Sequence, residues 1–269
     1  MVASPVVVSV IGILGLGEAG GAIAADLRKA GATVRGFDVD PSTGPDAESA
    51  AAAAAGAGLV LSLVTASEAL VAARSVLDAL GPGHVYADFN TSGAALKREL
   101  AGLVAPTGAR FADVALMAPV PGRGIRTPAF ASGPGAEAAA DVLRSFGMPV
   151  TVLDGEPGAA ATRKLLRSVA WKGVAAVVNE ALAAARAAGV EDWMRAELLA
   201  LFAGVDAAAL ARMEEGSRRH AARRAHEMAD VAELLRELGV QPRVAEAARA
   251  QLEALRREAE AEAGAAPRG

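Results

Sequence analysis

An almost wholly apolar run, Val6–Leu14, ends in Gly15-Leu16-Gly17-Glu18-Ala19-Gly20, and an Ala-rich stretch follows. No other feature narrows the possible folds as far. A short apolar run closed by glycine reads as a fully buried strand, and the residues after it read as a helix. The glycines remove side chains where a strand turns sharply into a helix. Gly15 permits the tight turn, Gly17 leaves the backbone open to close approach, and Gly20 lets helix pack on strand.

The rest of the first half repeats that alternation. Apolar β-type runs fall at Thr33–Phe37, Leu59–Val64, His84–Ala87, Arg110–Leu116, Ala129–Ser132 and Val150–Leu153. Helical stretches lie between them, at Ala19–Lys29, Asp46–Ala55, Ser67–Leu80, Ser92–Leu103 and Ala136–Phe146. Strands alternating with helices predict βαβ units and a doubly wound parallel sheet covered on both faces. After Pro157 the pattern is helical throughout: Ala159–Ala188, Asp192–Phe202, Ala207–Glu215, Arg218–Leu238 and Arg243–Glu262. The expected organisation is an α/β Rossmann domain over 1–155 and an all-α domain over 156–269.

An acidic residue, Asp38, stands eighteen positions beyond Gly20 at the end of the second strand. With the glycines this completes the pattern of a dinucleotide site, in which a helix N-terminus offers its free N–H groups to the pyrophosphate. The residues expected to line it are Gly15, Leu16, Gly17, Glu18, Ala19, Gly20 and Asp38. A carboxylate there accepts from ribose hydroxyls and repels a 2′-phosphate, so NAD is the expected cofactor; Arg35 keeps NADP possible.

Composition removes several other functions. Lys+Arg 27 against Asp+Glu 31 gives a net charge of −4, which argues against a nucleic-acid partner. No cysteine and three histidines leave neither a thiolate nucleophile nor a metal site to expect. The N-terminal stretch lacks a positive leader and its apolar run is too short to span a membrane, so a cytoplasmic protein without membrane contact is expected.

These motifs resemble the β-hydroxyacid dehydrogenase superfamily, which includes 3-hydroxyisobutyrate and 6-phosphogluconate dehydrogenases and, more distantly, imine reductases. The segment "IGILGLGEAGGAIAADLRKAGATVRGFD" is similar to its cofactor motif, and "LVLSLVTASEAL", with Val64 and Thr65, to the loop beneath the nicotinamide. "YADFNTS" resembles the end of the next strand, which implies cofactor contact at Asn90 and substrate contact at Thr91. "GAAATRKLLRSV" resembles the helix with the catalytic lysine, here Lys164; the family's Asn four residues later is Ser168. The family's Ser-Gly-Gly carboxylate anchor is replaced by Met117-Ala118-Pro119. The resemblance is closest to a subgroup with a phosphogluconate-dehydrogenase-like C-terminal half of unknown function.

Residues further along give weaker indications. The rigid loop "MAPVPGRGIRTP" presents Arg123 and Arg126, whose planar forks suit a carboxylate or phosphate. "GSRRHAARRAHEMADVAELL" supplies His220, Arg224 and Asp230, which the resemblance makes candidate substrate contacts. The helix Ala159–Ala188 is apolar nearly all round, which demands burial on several sides and predicts a homodimer or larger homo-oligomer. The function expected is hydride transfer between a nicotinamide and a small polar hydroxy acid or its carbonyl partner, with decarboxylation as a variant. The alternatives are imine reduction and cofactor binding without turnover.

Overall fold

The computed structural model describes residues 10–265, with side chains through residue 262. Val6–Ser9 of the expected first strand lie outside the described residues. The chain divides into two compact units at Arg167/Ser168.

The first unit holds strands β1 (Val10–Leu14), β2 (Thr33–Phe37), β3 (Leu59–Ser62), β4 (Val85–Asp88), β5 (Arg110–Leu116), β6 (Ala129–Ser132) and β7 (Val150–Val152). Its helices are α1 (Glu18–Lys29), α2 (Ala50–Ala54), α3 (Ala69–Arg74), α4 (Ala94–Val104), α5 (Ala136–Ser145) and the first turns of α6 (Ala159–Ala187). The seven strands form one sheet in the order β2-β1-β3-β4-β5-β6-β7. The chain steps from β1 outward to β2, then crosses back to β3 on the other side of β1. That reversal opens a crevice at the C-terminal ends of β1 and β3, where ligands bind in such sheets.

The sheet is the expected doubly wound one and mostly parallel, with one antiparallel pair. β6 pairs antiparallel with β5, and β7 runs parallel to β6. The link between β5 and β6 is the Pro/Gly-rich loop, which carries no crossover helix, and a parallel return requires one.

Burial follows the strand alternation. Ile11, Ile13, Leu59 and Leu61 pack with α1 and α5 on one face. Val60, Tyr86 and Phe111 stand in register and pack on the other face with the alanines of α2 and with Leu100 and Val104 of α4. The Ala-rich segment belongs here for a steric reason. Ala53 O comes so close to β1 that a Cβ on Gly12 would sit 2.6 Å from it.

Two helices are shorter than their periodicity suggests. The stretch Asp46–Ala55 yields a helix only from Ala50, capped by the Ser49 hydroxyl on Ala52 N–H at 3.1 Å. Asp46 instead accepts from Gly36 N–H at 2.5 Å and pairs with Arg28 at 2.6 Å, fastening the loop to β2. The stretch Ser67–Leu80 breaks into α3 and a single 3-10 turn, Leu77–Ala79. Ser75 turns its hydroxyl onto Ala72 O at 2.8 Å, a local bond that competes with the helix ladder.

The second unit is all helix: the remainder of α6, then α7 (Glu191–Ala203), α8 (Ala207–Arg219), α9 (Ala221–Glu237) and α10 (Arg243–Ala265). A seam of small residues, including Ala221, Ala225, Ala232 and Ala245, is buried among them. Glu180 on α6 accepts from Val244 and Ala245 N–H at 2.8 and 2.9 Å, so one helix caps another. Among the described residues no helix is long and apolar enough to cross a membrane.

Candidate active site

The glycine turn takes the shape its sequence requires. Gly15 has φ +92°, and a Cβ there would lie 2.4 Å from Leu63 O. A Cβ on Gly20 would lie 1.9 Å from Gly15 O. Gly17 differs: among the described residues no atom lies within 4 Å of the Cβ it lacks. The first and third glycines are needed by the protein itself, whereas the second faces open space at the start of α1.

That space continues into a cavity of about 660 Å³ at the crevice between β1 and β3. Gly15, Gly17, Asp38, Val64 and Thr65 line it, together with Glu68 and Val71. Leu16 belongs to the turn behind it and is buried against Gly36, and Ala19 and Gly20 lie in the first turn of α1. Glu18 opens α1 and is exposed. Asp38 is already engaged: Oδ2 accepts from Leu16 N–H at 2.6 Å, and Oδ1 from Asp40 N–H at 2.9 Å. Each oxygen keeps a further lone pair. Arg35 donates to Ala55 O at 2.6 Å. The open glycine, the free helix N-terminus and the carboxylate at the rim fit the pyrophosphate and ribose of a dinucleotide.

The end of β4 forms a second cluster. Asn90 is buried; its Nδ2 donates to Asp88 Oδ1 at 2.5 Å and to Ser62 Oγ at 3.1 Å, while its Oδ1 has no partner among the described residues. Thr91 is exposed and accepts from Lys164 Nζ at 2.7 Å, so the lysine of α6 reaches the residue that follows the end of β4. Ser168 follows four residues later on the same helix.

Met117 lies where the loop leaves β5, and its carbonyl accepts from Arg167, a tie the sequence did not disclose. The loop is held at its far end by Asp26 of α1, which accepts from Ile125 N–H at 2.9 Å. Gly124 makes this possible, because a Cβ there would meet the Asp26 carboxylate at 1.8 Å. Arg123 and Arg126 are exposed on this loop. In the second unit His220 precedes α9 and is exposed, Arg224 donates to Ser217 Oγ at 3.1 Å, and Asp230 is exposed.

Sequence reasoning also missed a buried charged group beneath the strand ends. Lys97 of α4 is 1% exposed, and its Nζ bonds Asp88 O at 3.0 Å and Asp88 Oδ2 at 2.6 Å. Asp113 Oδ1 lies 3.2 Å from the same Nζ. Burial pushes the Asp88 carboxyl up from its usual range, and the Lys97 ammonium partly offsets this.

Comparison with known proteins agrees with this geometry. The family model described as the NAD binding domain of 6-phosphogluconate dehydrogenase matches residues 10–151, and a domain of unknown function (DUF1932) matches residues 185–255. Conserved protein MTH1747, of unknown function and described as structurally similar to 3-hydroxyacid dehydrogenases, is 30% identical over 92% of this chain and 98% of its own, with a TM-score of 0.61. A conserved hypothetical protein from Sinorhizobium meliloti 1021 is 28% identical over 93% of this chain and 89% of its own, with a TM-score of 0.62. An imine reductase from Myxococcus stipitatus in complex with NADP+ is 19% identical over 94% of each chain, with a TM-score of 0.76; at that identity it shows a shared fold alone. No curated protein matches. The chain thus carries an NAD(P)-binding domain, and it belongs to the family of the NAD-binding domain of 6-phosphogluconate dehydrogenase.

Proposed function

We propose that the protein is an NAD-dependent oxidoreductase that moves hydride between the nicotinamide and a small polar hydroxy acid or its carbonyl partner. The observation that carries this reading is the 2.7 Å bond between Lys164 Nζ and Thr91 Oγ1, at the C-terminal edge of a dinucleotide-type sheet. When bound, the nicotinamide supplies the hydride acceptor or donor. Gly17 and the α1 N-terminus hold the pyrophosphate, and Asp38 holds the adenosine ribose. Lys164, as a neutral amine, takes the hydroxyl proton during oxidation; as an ammonium, it returns the proton during reduction. Thr91 orients that amine, and Arg123 offers a fork to the substrate's acid group.

Asp38 and Asp40, two residues apart just beyond β2, support NAD over NADP, as does the engagement of Arg35 with Ala55 O. Imine reduction remains the second reading, favoured by Met117-Ala118-Pro119, which offers no side-chain hydroxyl to a substrate carboxylate. Incubation with NADH and panels of keto acids and imines, followed by loss of reduced-nicotinamide absorbance, separates the two. Turnover of keto acids supports the proposal; turnover of imines alone moves the protein to the second reading.

The active form is a homodimer or a larger homo-oligomer. Val169 and Trp171 on α6 and Leu199 on α7 are 73%, 74% and 73% exposed, and α7 buries none of its residues in the single chain. Apolar surface on this scale marks an association site.

A further inference from the structure

Helix α6 begins without a side-chain cap of its own. Gly158 stands immediately before it, with φ +105° and Ala94 so near that a Cβ would fall 2.7 Å from Ala94 Cβ. The first N–H groups of a helix have no partner within it and must find one elsewhere. Here every one is accounted for, and most of the acceptors come from the sheet. Gly158 and Ala161 N–H donate to Asp113 Oδ2, both at 3.0 Å. Ala160 N–H donates to Ser132 Oγ at 3.0 Å, and Ala159 N–H to Glu156 O at 3.1 Å. The Ser132 hydroxyl in turn donates to Asp113 Oδ2 at 3.2 Å. The carboxylate also lies at the positive end of the helix dipole.

The same carboxylate is joined to the other half of the candidate site. Asp113 Oδ1 faces the Lys97 ammonium at 3.2 Å, and that ammonium holds both the carboxylate and the carbonyl of Asp88. Asp88 orients Asn90, and Thr91 is the next residue. Lys97, Asp88, Asp113 and Ser132 are all 1% exposed or less. A buried ionic group costs desolvation and contributes little net stability compared with apolar packing; this one ties together the two elements that carry Thr91 and Lys164.

We propose that Lys97, Asp113 and Ser132 are positioning residues that fix the start of α6 against the end of β4 and so set the contact between Lys164 and Thr91. The ammonium is the pivot: one arm runs through Asp88 to Thr91, the other through Asp113 to the first turn of α6 and on to Lys164. The inference builds on the reading of Lys164 as the acid/base group, but the geometry it concerns can be measured without turnover.

The chain has four lysines, Lys29, Lys97, Lys164 and Lys172, so labelling with [6-13C]lysine gives four Cε signals. In the full-length protein, Thr91→Val moves the Lys164 signal, because the hydrogen bond is lost. In Ser132→Ala and Asp113→Asn, the Lys164 signal is displaced from its position in the parent, and adding Thr91→Val moves it no further. NADH affinity stays within about twofold of the parent, while turnover falls by up to about 100-fold, the scale of a small misplacement. Ser132→Ala removes a single hydroxyl and keeps the comparison available if Asp113→Asn does not fold. A Lys164 signal in Ser132→Ala that matches the parent and still responds to Thr91→Val overturns the proposal. A Lys164→Met enzyme with undiminished turnover overturns the catalytic reading instead and leaves the NMR result standing.

Discussion

The Asp38 carboxylate accepts from Leu16 N–H at 2.6 Å, so the acidic residue ending β2 and the glycine turn ending β1 are one structural unit. Asp38 therefore has two tasks, holding the turn and presenting charge to the ribose. Asp38→Asn keeps an acceptor for Leu16 N–H and removes the charge. The parent should bind NADH more tightly than NADPH, and Asp38→Asn should narrow or reverse that preference by about tenfold, the scale of one surface charge interaction. Fluorescence titration measures both constants, and equal binding of the two cofactors by the parent defeats the NAD assignment.

Gly17 and Gly20 should respond in opposite ways to one added methyl. At Gly17 the new Cβ meets no atom of the described residues and φ is −60°, so Gly17→Ala should leave stability within about 1 kcal/mol of the parent yet weaken dinucleotide binding. At Gly20 the Cβ would sit 1.9 Å from Gly15 O, and Gly20→Ala should lower the melting temperature. Paired melting curves and NADH titrations distinguish the two. Intact cofactor binding in Gly17→Ala would place the pyrophosphate elsewhere.

The exposed apolar residues of the helical unit should be covered in solution. Leu199→Glu places a charge on a side chain that is 73% exposed in the single chain, so it should cost little in a monomer and much in an interface. Light scattering should show an oligomer for the parent and a smaller species for Leu199→Glu. A monomeric parent at micromolar concentration rules this out.

Glu191 gives the second unit a defined acid response. Hydrogen bonds from Arg186 and Arg195 lower its pKa to about 2 from an ordinary value of 4.5. A depressed carboxylate stabilises the folded state above the unfolded value and loses that contribution as pH falls through the folded value. Glu191→Gln should therefore melt below the parent at neutral pH, with the difference fading between pH 4.5 and about 2. A gap unchanged across that window contradicts the assignment.

The parts of this structure that were legible in the sequence depend on local spacing. The glycine turn, the strand that ends before Asp38 and the helix carrying Lys164 each follow from residues a few positions apart. The missed parts depend on distant partners. Lys97 in "AALKREL" reads as a solvated helix lysine, and nothing nearby discloses that two carboxylates bury it. Asp113 caps a helix that starts more than forty residues later, and Asp26 holds Ile125 across a separation of 99 positions. The direction of β6 was equally hidden, because "AFAS" has the same alternation in either sense.

The central claim, acid/base work by Lys164 beside a bound nicotinamide, is tested most directly by Lys164→Met. Turnover of NADH with the keto acid found active in the panel should fall by about 10²- to 10⁴-fold, while NADH affinity stays nearly unchanged. Near-normal turnover in the variant would contradict the account and return Lys164 to an ordinary place on the surface of α6.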